Sequence, residues 1–104
     1  MTQLTNAQRA FLRKMAHPLK PTVMLGKQGL TEQLFAKLDQ ELNAHELIKV
    51  RLIDGKDQKH ELAETIVAAT EATLVSMVGY VLVLYREQAD PERRTIILPL
   101  GADG

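Results

Sequence analysis

The chain has 104 residues, 45% of them hydrophobic, and its 13 Lys and Arg residues balance its 13 Asp and Glu residues. This length fits one domain, and this composition excludes intrinsically disordered and collagen-like chains. The absence of cysteine from the sequence excludes disulfide frameworks, thiolate metal sites and cysteine nucleophiles. The N-terminus does not read as a secretion signal, and the longest nearly apolar stretch, residues 74–85, is too short to span a bilayer. We therefore expect a cytoplasmic protein without a membrane partner.

The zero net charge conceals an uneven distribution of charge along the chain. Residues 1–29 contain five basic residues and no acidic residue, whereas residues 30–104 contain eight basic and all 13 acidic residues. The five early cations are Arg9, Arg13, Lys14, Lys20 and Lys27. A segment of one charge sign within a neutral protein indicates a polyanionic partner such as nucleic acid.

The first predicted element is a helix over residues 6–16. Thr5 and Gln8 have the spacing of a capping box at its start. The helix is predicted to end before Pro18, because the residue preceding a proline is pushed out of helical geometry. Its predicted buried stripe consists of Leu4, Ala7, Phe11 and Met15.

A strand, a second helix and a second strand are predicted next. Residues 22–25 form a short β-rich run and are followed by a glycine-containing turn at residues 26–29. Thr31 is the predicted N-cap of a helix over residues 31–44, in which leucine recurs every four residues. Residues 47–53 alternate between apolar and basic side chains, which predicts a half-buried strand.

The last part of the chain predicts a helix and a hairpin. Asp57 is the predicted N-cap of a third helix over residues 57–70. Two Val- and Leu-rich strands are predicted over residues 74–78 and 81–86, joined by a two-residue turn that begins with Gly79.

These elements predict an α/β fold of the two-layer α+β type, in the order αβαβαββ with a four-stranded mixed sheet. If both crossover connections advance the same way, their helices lie on one face of the sheet. Residues 81–84 are apolar at every position, which favours a central strand. We expect a single domain over residues 1–88 and a C-terminal extension over residues 89–104, in which residues 95–98 could form a short extra strand.

Gly26, Lys27, Gln28 and Gly29 form the sharpest local motif, between a predicted strand and a predicted helix. Glycines let the backbone approach a phosphate closely, and the free amides at a helix start point towards an anion. The motif alone fits a tight turn with a solvated lysine equally well, and it is neither a P-loop nor a dinucleotide-binding fingerprint. The three cations of the first helix could likewise be a solvated surface. Their closeness in sequence to the glycine motif favours a shared anion-binding surface.

The sequence has no constellation typical of an enzyme. Asp57, His60 and Glu61 lie within one helical turn, but capping and surface charge explain them more simply than a metal site does. No serine has the glycine elbow of a hydrolase. Lys49 and Arg51 fit the solvated side of a strand. We therefore predict no catalytic activity, no metal, no cofactor and no small-molecule substrate.

Several dispersed segments, spanning residues 4–86, resemble YhbY-type proteins, the bacterial single-domain form of the CRM (chloroplast RNA splicing and ribosome maturation) domain. The segments are Leu-Thr at 4–5, Lys-Pro at 20–21, Val-Met-Leu-Gly-Lys-Gln-Gly-Leu-Thr-Glu at 23–32, His-Glu-Leu-Ile-Lys-Val at 45–50 and Leu-Val-Leu-Tyr-Arg at 82–86. The resemblance implies an αβαβαββ fold similar to the C-terminal domain of a bacterial translation initiation factor.

The resemblance also implies RNA binding, with a glycine loop used as in KH domains. The residues it implies are Gly26, Lys27, Gln28 and Gly29 as phosphate contacts, with Arg9, Arg13, Lys14 and Lys20 as the flanking basic surface. Bacterial members of the family are associated with precursors of the large ribosomal subunit, and plant multi-domain members with group II intron splicing. A single CRM copy favours the ribosomal role, with precursor ribosomal RNA and ribosomal proteins as expected partners. The competing hypothesis is a protein-interaction module that joins a ribonucleoprotein through its acidic part, and a metal-dependent or hydrolytic enzyme is more distant.

Overall fold

The structure, a computed structural model, describes residues 4–99. Within them the chain forms three α-helices and four β-strands in the predicted order αβαβαββ. The elements are α1 (Asn6–Ala16), β1 (Val23–Leu25), α2 (Glu32–His45), β2 (Leu47–Leu52), α3 (Lys59–Thr70), β3 (Thr73–Val78) and β4 (Val81–Tyr85), with short 3-10 turns at Lys56–Gln58 and Pro91–Arg93. The predicted α/β fold with a four-stranded mixed sheet is confirmed.

The strands lie in the order β1-β2-β4-β3. β1 and β2 are parallel, and β4 is antiparallel to both of its neighbours. β4 is therefore a central strand, as its uninterrupted apolar sequence predicts, and four of its five residues are buried. No helix within residues 4–99 has the length and apolar character needed to cross a membrane.

The helices cover both faces of the sheet. α2 and α3 share one face, as expected when both crossovers advance the same way, and their core includes Leu38, Val50 and Ile66. α1 lies on the opposite face, where Leu12 packs with Tyr85 in a separate core cluster. The fold therefore has helices on both sides of the sheet, where two layers were predicted. The right-handedness of crossover connections does not determine which face of the sheet α1 covers, because α1 precedes the first strand and connects no two strands.

Two of the three predicted helix caps are present. The Thr5 hydroxyl accepts the backbone N–H of Gln8 at 3.1 Å, and the Gln8 side chain accepts the Thr5 N–H at 3.0 Å, which completes the capping box. Thr31 caps α2 in the predicted way. The prediction for Asp57 is wrong, because a 3-10 turn comes first and Gln58 precedes α3 without a side-chain cap bond.

The buried stripe of α1 differs from the predicted one. Leu12 and Ala16 are the buried residues of the helix, while Ala7 is exposed and Met15 is 37% exposed. The predicted stripe followed the three- and four-residue intervals that begin at Leu4, and these intervals do not include Leu12. In the structure the small side chain of Ala16 faces the sheet, and Phe11 packs at the margin of this cluster.

Residues 95–98 form no strand and instead dock as an extended segment. The anchor is the carboxylate of Glu46, which is 1% exposed and lies at the end of α2 with a φ of 63°. It accepts backbone N–H groups from Gln88 at 2.8 Å, Thr95 at 2.7 Å and Ile96 at 3.1 Å, and the Thr95 hydroxyl at 3.1 Å. Burial alone would raise the pKa of Glu46, but these hydrogen bonds outweigh it, so the pKa lies below its ordinary value. Ile96 is thereby held in the core beneath α1.

Candidate nucleic-acid interface

The glycine loop, residues 26–29, follows β1 directly and exposes its backbone. The Gly29 N–H donates to the Gly26 carbonyl at 3.1 Å and closes a tight turn. Gly29 has a φ of +72°, a conformation that favours glycine, and a Cβ added at Gly26 or Gly29 would meet no atom within 4 Å. Lys27 and Gln28 project from the turn and are exposed. The space over both glycines is therefore open to a close approach by another molecule.

One side of the glycine loop is unfavourable for an anion. A cleft of about 200 Å³ between the loop and the start of the 3-10 turn is lined by Lys27 of the loop as well as by Asp54 and Gly55. Glu32 occupies the first turn of α2, where a negative side chain already complements the helix dipole. A phosphate is therefore expected on the side of the loop away from Asp54, and the Lys27 side chain is exposed at the loop.

Arg9 stabilises the sheet instead of joining the loop. Its Nη1 atom donates to the carbonyl oxygens of Leu74 at 2.6 Å and Val75 at 2.8 Å. These carbonyls lie at an irregularity in the register of the edge strand β3, near the end of β3 away from the hairpin turn. The guanidinium thus donates to two backbone carbonyls of the edge strand β3.

The remaining predicted cations of the flanking surface point in different directions. Arg13 is exposed and lines a groove between α1 and the hairpin end of the sheet. Lys14 lies about 100° further around the helix and faces away from the sheet. Lys20 lies in the connection to β1 and lines a different cavity, together with Leu19 and His45. The structure therefore brings Arg13 to the loop end of the sheet and leaves Lys14 and Lys20 apart from it.

The two strand cations lie on the same face as α1. The Lys49 Nζ atom donates to the carbonyls of His17 at 3.3 Å and Leu19 at 3.0 Å and so ties the end of α1 to β2. Arg51 is exposed and pairs in register with Met24, two residues before the glycine loop. The prediction of a solvated position is confirmed for Arg51, but it missed the hydrogen bonds that Lys49 makes to the end of α1. The alternating pattern of β2 was the available signal, but it did not show which helix covers the basic side.

The sheet separates the charges of the molecule. α1, the glycine loop and all four strands contain no acidic residue, whereas α2 and α3 together contain five acids and two lysines. The ion pairs formed within residues 4–99 involve Lys37, His45, Arg86 and Arg94 as the cationic partners. None of the five early cations is among them. The charged side chains of α1, the glycine loop and the strands are therefore all basic.

The hairpin turn adds an aromatic side chain at the same end of the sheet. The Lys59 ammonium lies 5.1 Å from the centre of the Tyr80 ring and donates to the Gly79 carbonyl at 3.3 Å. The Tyr80 carbonyl accepts the Leu52 N–H at 2.7 Å, which joins the turn to the end of β2.

Within residues 4–99, no three His, Asp or Glu side chains are grouped where they could hold a metal ion.

Comparisons with known proteins identify the family of the chain. A sequence model of the CRS1 / YhbY (CRM) domain matches residues 4–86. An RNA-binding protein of Haemophilus influenzae is 45% identical over 87 residues, covering 83% of this chain and 88% of that protein. The probable RNA-binding protein YqeI of Bacillus subtilis is 36% identical over 97 residues, covering 92% of this chain and 99% of that protein. The solution structure of a hypothetical protein from Staphylococcus aureus is 38% identical, covers 93% of this chain and 100% of that one, and has a TM-score of 0.75. The chain belongs to the CRS1/YhbY (CRM) domain family.

Proposed function

We propose that this protein binds RNA through the glycine loop and the positive α1 face of the sheet. We further propose that its target is precursor RNA of the large ribosomal subunit and that it assists assembly of that subunit in the cytoplasm. The observation that carries the proposal is the separation of charge by the sheet, which leaves α1, the loop and the strands without an acid. The names of the relatives from Haemophilus influenzae and Bacillus subtilis support RNA as the partner.

Affinity in this proposal comes from phosphate contacts. The open backbone at Gly26 and Gly29 allows a phosphate to approach, and Lys27 and Arg13 add charge on either side of the sheet end. Such contacts release condensed counterions and do not read base sequence. We therefore expect selectivity to come from the shape of the RNA.

The competing function is a protein-interaction module that uses the acidic face of α2 and α3. Crosslinking of RNA to protein in living cells, followed by gradient sedimentation of the extract, separates the two. The test variant combines Lys27→Gln with Arg13→Gln. The matched control combines Lys37→Gln with Arg93→Gln, which removes the same charge from two exposed positions, one in α2 and one in the 3-10 turn at Pro91–Arg93.

The proposal predicts that the wild type crosslinks to large-subunit precursor RNA and sediments with the precursor particles. The Lys27 and Arg13 double variant should lose both properties, and the control should keep both. Sedimentation with the precursor that survives in the test variant would favour protein contacts and contradict the proposal.

A further inference from the structure

The sheet face under α1 is covered along only part of its length. Val78 is 70% exposed and Met24 is 48% exposed, although both lie on strands of the sheet. The strand register places them in one row across all four strands, in the order Met24, Arg51, Val81 and Val78. A largely apolar row that is continuous across a sheet differs from single exposed apolar residues and indicates a binding surface.

A groove of about 420 Å³ lies where this row meets α1. Its floor and rim are formed by Ser76, Val78, Val81, Val83, Arg13 and Lys49. None of the residues that line the groove is acidic. Its volume lies within the range of about 300–1,000 Å³ that is typical of small-molecule sites.

The side chains that line the groove indicate the class of ligand that it would bind. Valine side chains favour a flat apolar group, while Arg13 at the rim and Arg51 in the adjoining row favour an anion. An unpaired nucleotide combines these two properties, because the flat face of its base can pack on apolar side chains while its phosphate carries a negative charge. Duplex RNA keeps the faces of its bases stacked, so that only an unpaired base can enter such a groove.

We propose that this groove binds one unpaired base of single-stranded RNA, whose neighbouring phosphates lie on Arg13, Arg51 and the glycine loop. The proposal rests on the proposed RNA-binding function and adds the class of ligand and the position of a base site. The exposed row connects the groove to the glycine loop, because Met24 in the row lies two residues before Gly26. An RNA strand can therefore run from the loop along the row to the groove without crossing an acidic side chain.

The experiment compares two neutral substitutions in the groove with a neutral substitution elsewhere. Ser76→Leu fills the groove, and Val78→Ser removes apolar surface from its floor. Ile97→Ser is the matched control, since Ile97 is 85% exposed and does not line the groove. Binding of each variant is measured by fluorescence anisotropy with a labelled single-stranded oligoribonucleotide and with an abasic strand of the same length.

Both groove variants should bind the normal strand about fourfold more weakly than the wild type, the effect expected for loss of about one buried methylene contact. Their dependence on salt should be unchanged, because no charge is altered. On the abasic strand, the wild type and both groove variants should bind equally. Ile97→Ser should match the wild type on both strands. Val78→Ser keeps the test valid if Ser76→Leu disturbs folding, because Val78 is mostly solvent-exposed.

Three results would overturn the base site in distinguishable ways. Wild-type affinity in both groove variants, with weak binding by the Lys27 and Arg13 double variant, would remove the base site and leave the proposed function intact. Absence of RNA binding by the wild type would remove the proposed function itself. A wild-type dimer that Val78→Ser dissociates in analytical ultracentrifugation would assign the groove to a second copy of the chain.

Discussion

The buried carboxylate of Glu46 is predicted to determine how firmly the C-terminal segment is attached. Glu46→Gln keeps the size of the side chain and removes its charge. One carboxylate oxygen accepts from the Thr95 N–H and hydroxyl and from the Ile96 N–H, and the other accepts from the Gln88 N–H at 2.8 Å. A glutamine has one side-chain oxygen, so it can accept from only one of these two sets of donors. Its NH2 group then faces a buried N–H donor.

The expected cost follows from these contacts. Hydrogen bonds to a charged acceptor are about twice as strong as bonds to a neutral one, so the three bonds at one oxygen weaken. A buried N–H that loses its acceptor costs about 1–3 kcal/mol. Together these effects predict that Glu46→Gln lowers the free energy of unfolding by about 2–4 kcal/mol. In a domain of this size, 1 kcal/mol changes Tm by about 4–8 °C, so the predicted change is readily measured.

The assay is chemical denaturation of the wild type, Glu46→Gln and the control Glu64→Gln at a series of pH values. Glu64 is exposed on α3, so its substitution should change stability little. Because the folded-state pKa of Glu46 lies below the ordinary value of 4.5, its contribution is fully present above that pH and is lost as the pH falls through the folded pKa. The difference between wild type and Glu46→Gln should therefore be constant near neutral pH and shrink in acid. Equal stability of Glu46→Gln and Glu64→Gln would refute this reasoning.

Three further substitutions separate stability from RNA binding. Arg9→Leu should lower the free energy of unfolding by about 1–3 kcal/mol, because two carbonyls of the edge strand lose a charged donor. It should leave the salt dependence of RNA binding unchanged. A smaller salt slope would instead place Arg9 on the RNA. Gly26→Ala should retain wild-type thermal stability, since its Cβ meets no atom, but should weaken RNA binding in anisotropy measurements; undiminished affinity would argue against close contact at the loop. The Tyr85 hydroxyl is buried without a hydrogen-bond partner in the described residues, and burial is the main cause that raises its pKa to about 12. Tyr85→Phe should therefore leave stability unchanged or raise it by about 1 kcal/mol, and a clear loss in denaturation would contradict this.

The features that could be predicted from the sequence are those that depend on nearby residues. The Thr5 capping box and the Thr31 cap are each formed across three residues, and both are present. The two-residue turn at Gly79 is also local, and its φ of 59° explains the glycine. The uninterrupted apolar sequence of β4 correctly indicated a strand with neighbours on both sides.

The features that could not be predicted depend on contacts between distant parts of the chain. Glu46 contacts Thr95 and Ile96 across about 50 positions, and a single glutamate after a helix gives no sign of this. Arg9 reaches carbonyls at an irregularity of β3 that depends on how the hairpin pairs. The face chosen by α1 decides which cations share a surface. The sequence therefore indicated a basic segment, while the structure shows that its members face different surfaces: Arg9 bonds to β3 carbonyls, and Arg13 and Lys20 line different cavities.

The salt dependence of RNA binding tests the central claim most directly. Affinity for a single-stranded oligoribonucleotide is measured over a range of salt concentrations for the wild type, the Lys27→Gln and Arg13→Gln double variant, and the Lys37→Gln and Arg93→Gln control. Each phosphate contact contributes about −0.7 to the slope of log affinity against log salt for single strands, so the double variant should lose about 1.4 from the magnitude of the slope. The control should retain the wild-type slope. An unchanged slope in a folded Lys27 and Arg13 double variant would contradict the assignment of RNA to this surface.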